Sequence, residues 1–434
     1  MSTSLGLARV PDGRSPREPG DRYDLWLLGP YFGLHEPADC SLHTSSVPRA
    51  YEELDTALPP TPFQLHPPRG LRLAVADQTG RPELAAARPG DLPAEYWTDR
   101  WGHVAELTGR ASTLTQEARL RLGVLHCALG MDAAAQGVLP DLQPEEATAS
   151  PIAAAIAMKL THVRKRLHTD AASVRRDREV LAAVATAARI PARSALGAAT
   201  TLVVLHARGT RPDVAAVRHW RRLAEERLAR LDGADWRDRL AVSTFWRAVS
   251  YLPFLQGDHA RTAAELDLAE EAARSMPAAT EQEDLVRRQN LHPLLETRTR
   301  AALARGTADA ALGYAREAAE LDPHDGKVHI TLGDVLARAG DRAQARASYL
   351  RAVALGAPYA PKAQNLLAGS LEAEGDHEAA MYAYLRVLDL DRGAYSACAA
   401  AHRLAGQLGT KDVMDWAASW RAAARERAEA GQTR

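Results

Sequence analysis

The sequence predicts an all-α protein built of antiparallel helical hairpins stacked one on the next, and three observations predict it. Apolar residues recur at three- and four-residue spacing from about residue 94 onward, broken only by brief Gly, Pro or Asp punctuation. The apolar set is mostly alanine and leucine, with aromatic residues at only 5%, which suits close-packed helices better than sandwiches of strands. A self-similarity with a period of 34 to 35 residues runs through the last third of the 434-residue chain.

Residues 1–95 form the exception. Their prolines and glycines, as in VPDGRSPREPGD, ALPPTPFQLHPPRG and AARPGDLP, interrupt any long helix. Within this loop-rich segment Tyr23 to Leu28 and Leu71 to Ala76 read as short strands, Ala50 to Leu58 as one short helix, and the first twenty residues as disordered. Periodicity then predicts helices at about 94–108, 115–129, 132–139, 144–168, 171–189, 192–208, 212–231, 235–256, 260–275, 281–304, 308–321, 326–339, 342–355, 361–374, 377–390, 393–407 and 410–429. Connections this short force neighbouring helices to lie antiparallel.

The self-similarity is anchored by glycines. Gly306, Gly340 and Gly375 each follow one helix and precede another, at separations of 34 and 35 residues. Ala311, Ala345 and Ala380 lie five residues beyond them, Ala315, Tyr349 and Tyr384 nine beyond, and Leu321, Leu355 and Leu390 fifteen beyond. The middle copy reads Leu332-Gly333, Leu336, Gly340-Asp341, Ala345, Tyr349, Ala352, Leu355. A glycine at position 333 allows the two helices of a hairpin to approach, and Gly340 can take the positive φ that ends a helix.

This pattern resembles the tetratricopeptide repeat over residues 292–392, with copies at 292–325, 326–359 and 361–392. It departs from the usual motif in having Leu295, His329 and Gln364 where a tryptophan is common, and Thr299 and Ala368 where the middle copy has Gly333. A looser copy occupies 243–276, with Trp246 and Gly257-Asp258 at the right separation, and the helices of 96–240 read as divergent hairpins. The expected organisation is therefore an N-terminal segment to 95, helical hairpins over 96–240, and a repeat domain over 241–434 closed by capping helices. The resemblance implies a right-handed superhelix with a concave groove for a protein or peptide. It also implies groove positions for Lys327, Arg338, Lys362 and Asn365, which could bond a peptide's carboxylates or backbone, although Asp334 on the same helix would oppose an anion.

Charge is unevenly spread. Residues 1–150 carry 13 basic and 20 acidic side chains, residues 151–230 carry 16 and 6, and residues 231–434 carry 25 and 29. The basic middle, with Arg164, Lys165, Arg166, Arg175 and Arg176, offers a surface for an acidic partner, or else is balanced internally by its acidic flanks. Helix-turn-helix, RNA-recognition and zinc-finger patterns are absent, so nucleic acid is not the expected partner. Five lysines stand against a large excess of arginine, a skew that resembles actinobacterial coding.

Cys40, Cys127 and Cys398 are few and far apart, which suits a reducing, cytoplasmic setting. No signal peptide or membrane-spanning run is found. No phosphate-cradling glycine loop, G-x-S-x-G elbow or H-E-x-x-H helix occurs. His35-Glu36 with Cys40 and His43, and His324, Asp325 with His329, are near misses for metal ligation. No catalytic residue, metal or cofactor is expected. The expected function is a scaffold or adaptor that holds a peptide or protein partner, as an accessory of a bacterial biosynthetic pathway. The alternatives are a peptide-sensing regulator, and an enzyme or enzyme subunit with its site at the N-terminal segment.

Overall fold

A computed structural model describes residues 106–128, 132–167, 171–207, 212–233, 235–323, 325–355, 359–390 and 394–432. The strands expected at 23–28 and 71–76, the helix at 50–58, the disorder of the first twenty residues and the cluster at 35–43 lie outside these residues. Of the helix expected at 94–108 only its end, 106–109, is described.

Among the described residues all regular structure is helical. After a 3-10 turn at Ala111–Thr113 come α1 (Gln116–Ala128), α2 (Asp132–Val138), α3 (Pro144–Ala147), α4 (Pro151–Leu167), α5 (Ala171–Thr186), α6 (Ala192–Ala207), α7 (Val214–Leu228), α8 (Trp236–Val249), α9 (Tyr251–Leu255) and α10 (His259–Arg274). They are followed by α11 (Glu281–Ala304), α12 (Ala308–Leu321), α13 (Gly326–Arg338), α14 (Arg342–Ala354), α15 (Ala360–Ala373), α16 (His377–Leu390), α17 (Tyr395–Leu408) and α18 (Lys411–Gln432). The architecture is all-α, a succession of antiparallel helix pairs of tetratricopeptide type.

Two expected helices are divided, each by proline. The helix expected at 144–168 stops after Ala147 and restarts at Pro151, because the residue before a proline is driven out of the helical region and proline itself is favoured at the first helical position. The helix expected at 235–256 breaks at Ser250. Pro253 lacks the N–H that would reach back to Val249. Pro293 sits inside α11 without ending it, and its carbonyl accepts a bond from the Thr297 hydroxyl at 2.8 Å.

The hairpin turns obey one rule. Gly257, Gly306, Gly340, Gly375 and Gly409 all have φ between +72° and +85°. The N–H after each glycine bonds the carbonyl five residues back: Asp258 to Pro253, Thr307 to Ala302, Asp341 to Leu336, Asp376 to Leu371 and Thr410 to Ala405, at 2.9 to 3.1 Å. This closes the last turn of one helix. At three of the turns the next residue is an aspartate whose carboxylate caps the following helix, from Asp258 to the N–H of Arg261, Asp341 to Gln344 and Asp376 to Ala379. The looser copy around Gly257-Asp258 thus has the same turn as the clear copies. Gly409, 34 residues beyond Gly375, gives α17 and α18 a repeat-type turn although they lack most of the motif's side chains.

The chain divides into two compact units inside α12, between Tyr314 and Ala315. In the unit ending at Tyr314, α1, α4, α6, α8 and α11 form an inner layer in which each packs against the next. Helices α2, α5, α7 and α10 form the outer layer, and a continuous apolar core runs from Leu107 to Leu252. In the unit beginning at Ala315, α13 to α18 pack in sequence order. Among its described residues one apolar cluster lies around Ile330, Ala352 and Ala363 and another runs from Ala368 to Ala417.

A cationic groove as the candidate functional site

The inner layer of the unit ending at Tyr314 encloses a cavity of about 590 Å³, a size within the usual range of ligand pockets. Each helix contributes one face. From α6 come Gly197, Thr200, Thr201 and Val204, and from α8, continuing into α9, come Thr244, Arg247, Ala248 and Tyr251. Both sets are spaced i, i+3, i+4, i+7, the single stripe a helix turns toward one side. Helix α4 supplies Ala155, Met158, Lys159, His162 and Lys165, α1 supplies Leu120, Arg121 and Val124, and α11 supplies Thr297. Close approach of α4 and α6 depends on Gly197, where an added Cβ would lie 3.3 Å from the Met158 sulfur.

The lining is charged with one sign. Arg121, Lys159, Lys165 and Arg247 face the cavity, and among the described residues no carboxylate lines it. Glu117 lies beside Arg121 at 3.9 Å, one helical turn back along α1. The His162 pKa is lowered to about 4, by lost hydration of the ring first and then by Lys159, Lys165 and Arg166. At neutral pH His162 is therefore an uncharged donor and acceptor among fixed cations.

The expected basic surface is partly a structural device. Arg164 is not on the surface: it is 7% exposed and bonds Asp177 at 2.7 Å and Asp141 at 3.0 Å. Arg166 is held by Asp132 in a two-point pair at 2.7 and 2.5 Å, and Arg176 by Asp141 at 2.9 Å. Asp132 and Asp141 come from the acidic flank, so much of the middle region's charge is balanced internally. Arg175 stands exposed on α5, while Lys165 turns into the cavity.

The four groove positions implied by the repeat resemblance lie on α13 and α15. Lys327, Arg338 and Lys362 are exposed and Asn365 is half-buried. Ile330 and Ala363, from the same two helices, share one apolar cluster. Arg338 lies at the far end of α13 from Lys327, about eleven residues along the helix, roughly 16 Å at the rise of an α-helix. Asp334 accepts a bond from the Tyr349 hydroxyl at 2.9 Å. Burial, and then Asp334, raises the Tyr349 pKa, so that proton stays on Tyr349. His329 directs its Nε2 to the Pro323 carbonyl at 3.0 Å.

What the sequence reading missed is the inner face of α1, α4, α6 and α8. Of its cations only Lys165 had been singled out. The signal was present as the i, i+3, i+4 run of Gly197, Thr200 and Thr201, small or polar in the middle of a mostly apolar helix.

No protein-family profile matches the chain, and no curated protein does. Two crystal structures of MamA are similar to it, one at 18% identity with a TM-score of 0.32, covering 43% of this chain and 92% of that one. The other is 21% identical with a TM-score of 0.30, covering 41% and 97%. The human IFIT1 dimer with PPP-AAAA is 11% identical with a TM-score of 0.42, covering 88% and 95%. No helix among the described residues is long and apolar enough to cross a membrane.

Proposed function

We propose that the protein is a binding scaffold rather than an enzyme, and that the inner groove of the unit ending at Tyr314 holds a segment of a partner polypeptide. The observation that carries this reading is the cavity of about 590 Å³, lined by one face each of α1, α4, α6 and α8. Stacked hairpins of this kind present such faces as extended, preformed surfaces, so a ligand can bind with little rearrangement of the protein.

Selection from a displayed random-peptide library, followed by fluorescence anisotropy on the selected peptides, tests it. Thr201→Trp and Thr244→Trp each place a large ring in the groove, and each is expected to weaken the selected peptides by at least about tenfold. Undiminished binding to both variants would place the ligand elsewhere and defeat the groove reading.

A second surface is favoured by one observation, the exposed Lys327 and Lys362 on α13 and α15, whose neighbours Ile330 and Ala363 share a core cluster. If it is the one used, Lys327→Ala, Lys362→Ala and Asn365→Ala together abolish binding of the selected peptides, and the tryptophan variants leave it intact.

A further inference from the structure

Resting on the groove reading, we infer that the groove grips its ligand by the main chain: an extended polypeptide whose backbone N–H and C=O groups bond the hydroxyls of Thr200, Thr201 and Thr297, so that binding tolerates many side-chain sequences. Two observations lead there.

The first is a row of hydroxyls on successive helices. Thr200 and Thr201 of α6, Thr244 of α8 and Thr297 of α11 all line the one cavity. Helix α6 packs against α8, and α8 against α11. Axes of helices in contact lie about 8–10 Å apart, so the row runs roughly 16–20 Å from α6 to α11, the reach of about five or six residues of extended chain. A compact small molecule meets only part of such a row, whereas a polymer lying across the three helices meets all of it.

The second is that the row offers both donors and acceptors. Thr201 donates to the Gly197 carbonyl at 2.8 Å and Thr297 to the Pro293 carbonyl at 2.8 Å. Each hydrogen is thereby held on its own helix, and the oxygen keeps its lone pairs for an incoming N–H. Thr200 is the opposite case. It is 5% exposed, and among the described residues its hydroxyl has no hydrogen-bond partner, not even the Leu196 carbonyl one turn back. A buried hydroxyl left unmet is unfavourable, and a carbonyl on a ligand would meet it. A phosphodiester backbone offers acceptors alone and cannot serve Thr201 and Thr297. A peptide backbone carries an N–H and a C=O at nearly every residue and serves all three.

The experiment is fluorescence anisotropy on the full chain with the most enriched peptide of the displayed library, labelled and made in four forms: the parent, a scrambled sequence, and two forms N-methylated at alternate residues in the two possible registers. Alternate N–H groups of an extended chain point to the same edge. One register is therefore expected to weaken binding by at least about tenfold, while the other register and the scrambled peptide stay within about threefold of the parent. These comparisons use the unaltered protein, so they do not depend on any variant folding. Thr201→Val and Thr297→Val each weaken the parent peptide by about two- to tenfold and have no further effect on the register already weakened by methylation. Thr200→Val weakens both, because its partner is a carbonyl. The inference is overturned if the two registers bind equally, whether both like the parent or both equally worse, or if scrambling alone abolishes binding. Should that happen while Thr201→Trp and Thr244→Trp still remove binding, the groove reading stands and the ligand is held by its side chains. Should the tryptophan variants also leave binding intact, or the library yield no binder, both fall.

Discussion

The two units hold their hairpins together by different means. In the unit beginning at Ala315, where the repeat motif is clear, helix pairs interlock by shape. An added Cβ at Gly333 would come within 2.5 Å of the Tyr349 ring, and the Tyr384 hydroxyl lies 3.7 Å from the corresponding point on Gly369. In the unit ending at Tyr314, where most of that motif is missing, buried arginines connect one helix pair to the next. Arg164 joins α4 to Asp177 of α5 and to Asp141 before α3, and Arg221 of α7 meets Glu265 of α10. Arg298 of α11 meets Asp267 and Glu270 of α10. Arg227 bonds the carbonyls of Ala185 and Thr186 at the end of α5. The motif residues are thus those of one packing solution, and a hairpin stack can replace them with directed ionic contacts and keep its geometry.

That contrast can be broken at several points. The largest effect is expected from Arg164→Met, which leaves Asp177 buried without its partner and costs about 3–5 kcal/mol in urea unfolding. The parallel change in the other unit, Arg346→Met, breaks an ion pair to Glu374 with Arg346 38% exposed and is expected to cost less than about 1 kcal/mol. Equal losses would show that ionic contacts do not distinguish the units.

A second test uses pH. His126 is fully buried beside the Thr108 hydroxyl, at 2.8 Å, and burial lowers its pKa to about 4. The folded protein keeps this imidazole neutral while the unfolded chain takes up a proton below about 6.5. The stability is therefore whole above pH ~6.5 and is lost as pH falls toward ~4, by roughly 3 kcal/mol. Thermal melts across that range should show His126→Asn flatter than the parent; equal slopes would remove His126 as the cause. A third test lies in the shape-interlocked unit. Gly333→Ala overpacks the Tyr349 ring and costs about 1–3 kcal/mol, part of which Tyr349→Leu in the same chain restores. A neutral Gly333→Ala would mean that the two helices separate freely.

Much of this fold was legible in the chain. The helices expected at 281–304, 308–321 and 377–390 are the observed α11, α12 and α16, because local boundary signals flank them: the Thr280 cap before α11, the Gly306 turn between α11 and α12, and the Asp376 cap before α16. The breaks at Pro151 and Pro253 follow from the same local rules, which override an uninterrupted apolar periodicity. The groove was far less legible. Lys159, Thr200 and Arg247 stand on three helices, and nothing in their local sequence says that those helices adjoin.

The sequence by itself therefore determined where most helices begin and end and that successive helices reverse direction, since those are local matters of backbone φ, capping and short connection. Tertiary packing alone decided which face of each helix meets a neighbour and which meets the cavity. Arg164 and Lys165 are consecutive residues of one helix, about 100° apart around its axis. That rotation carries the first onto the buried Asp177 and the exposed Asp141, and the second into the groove.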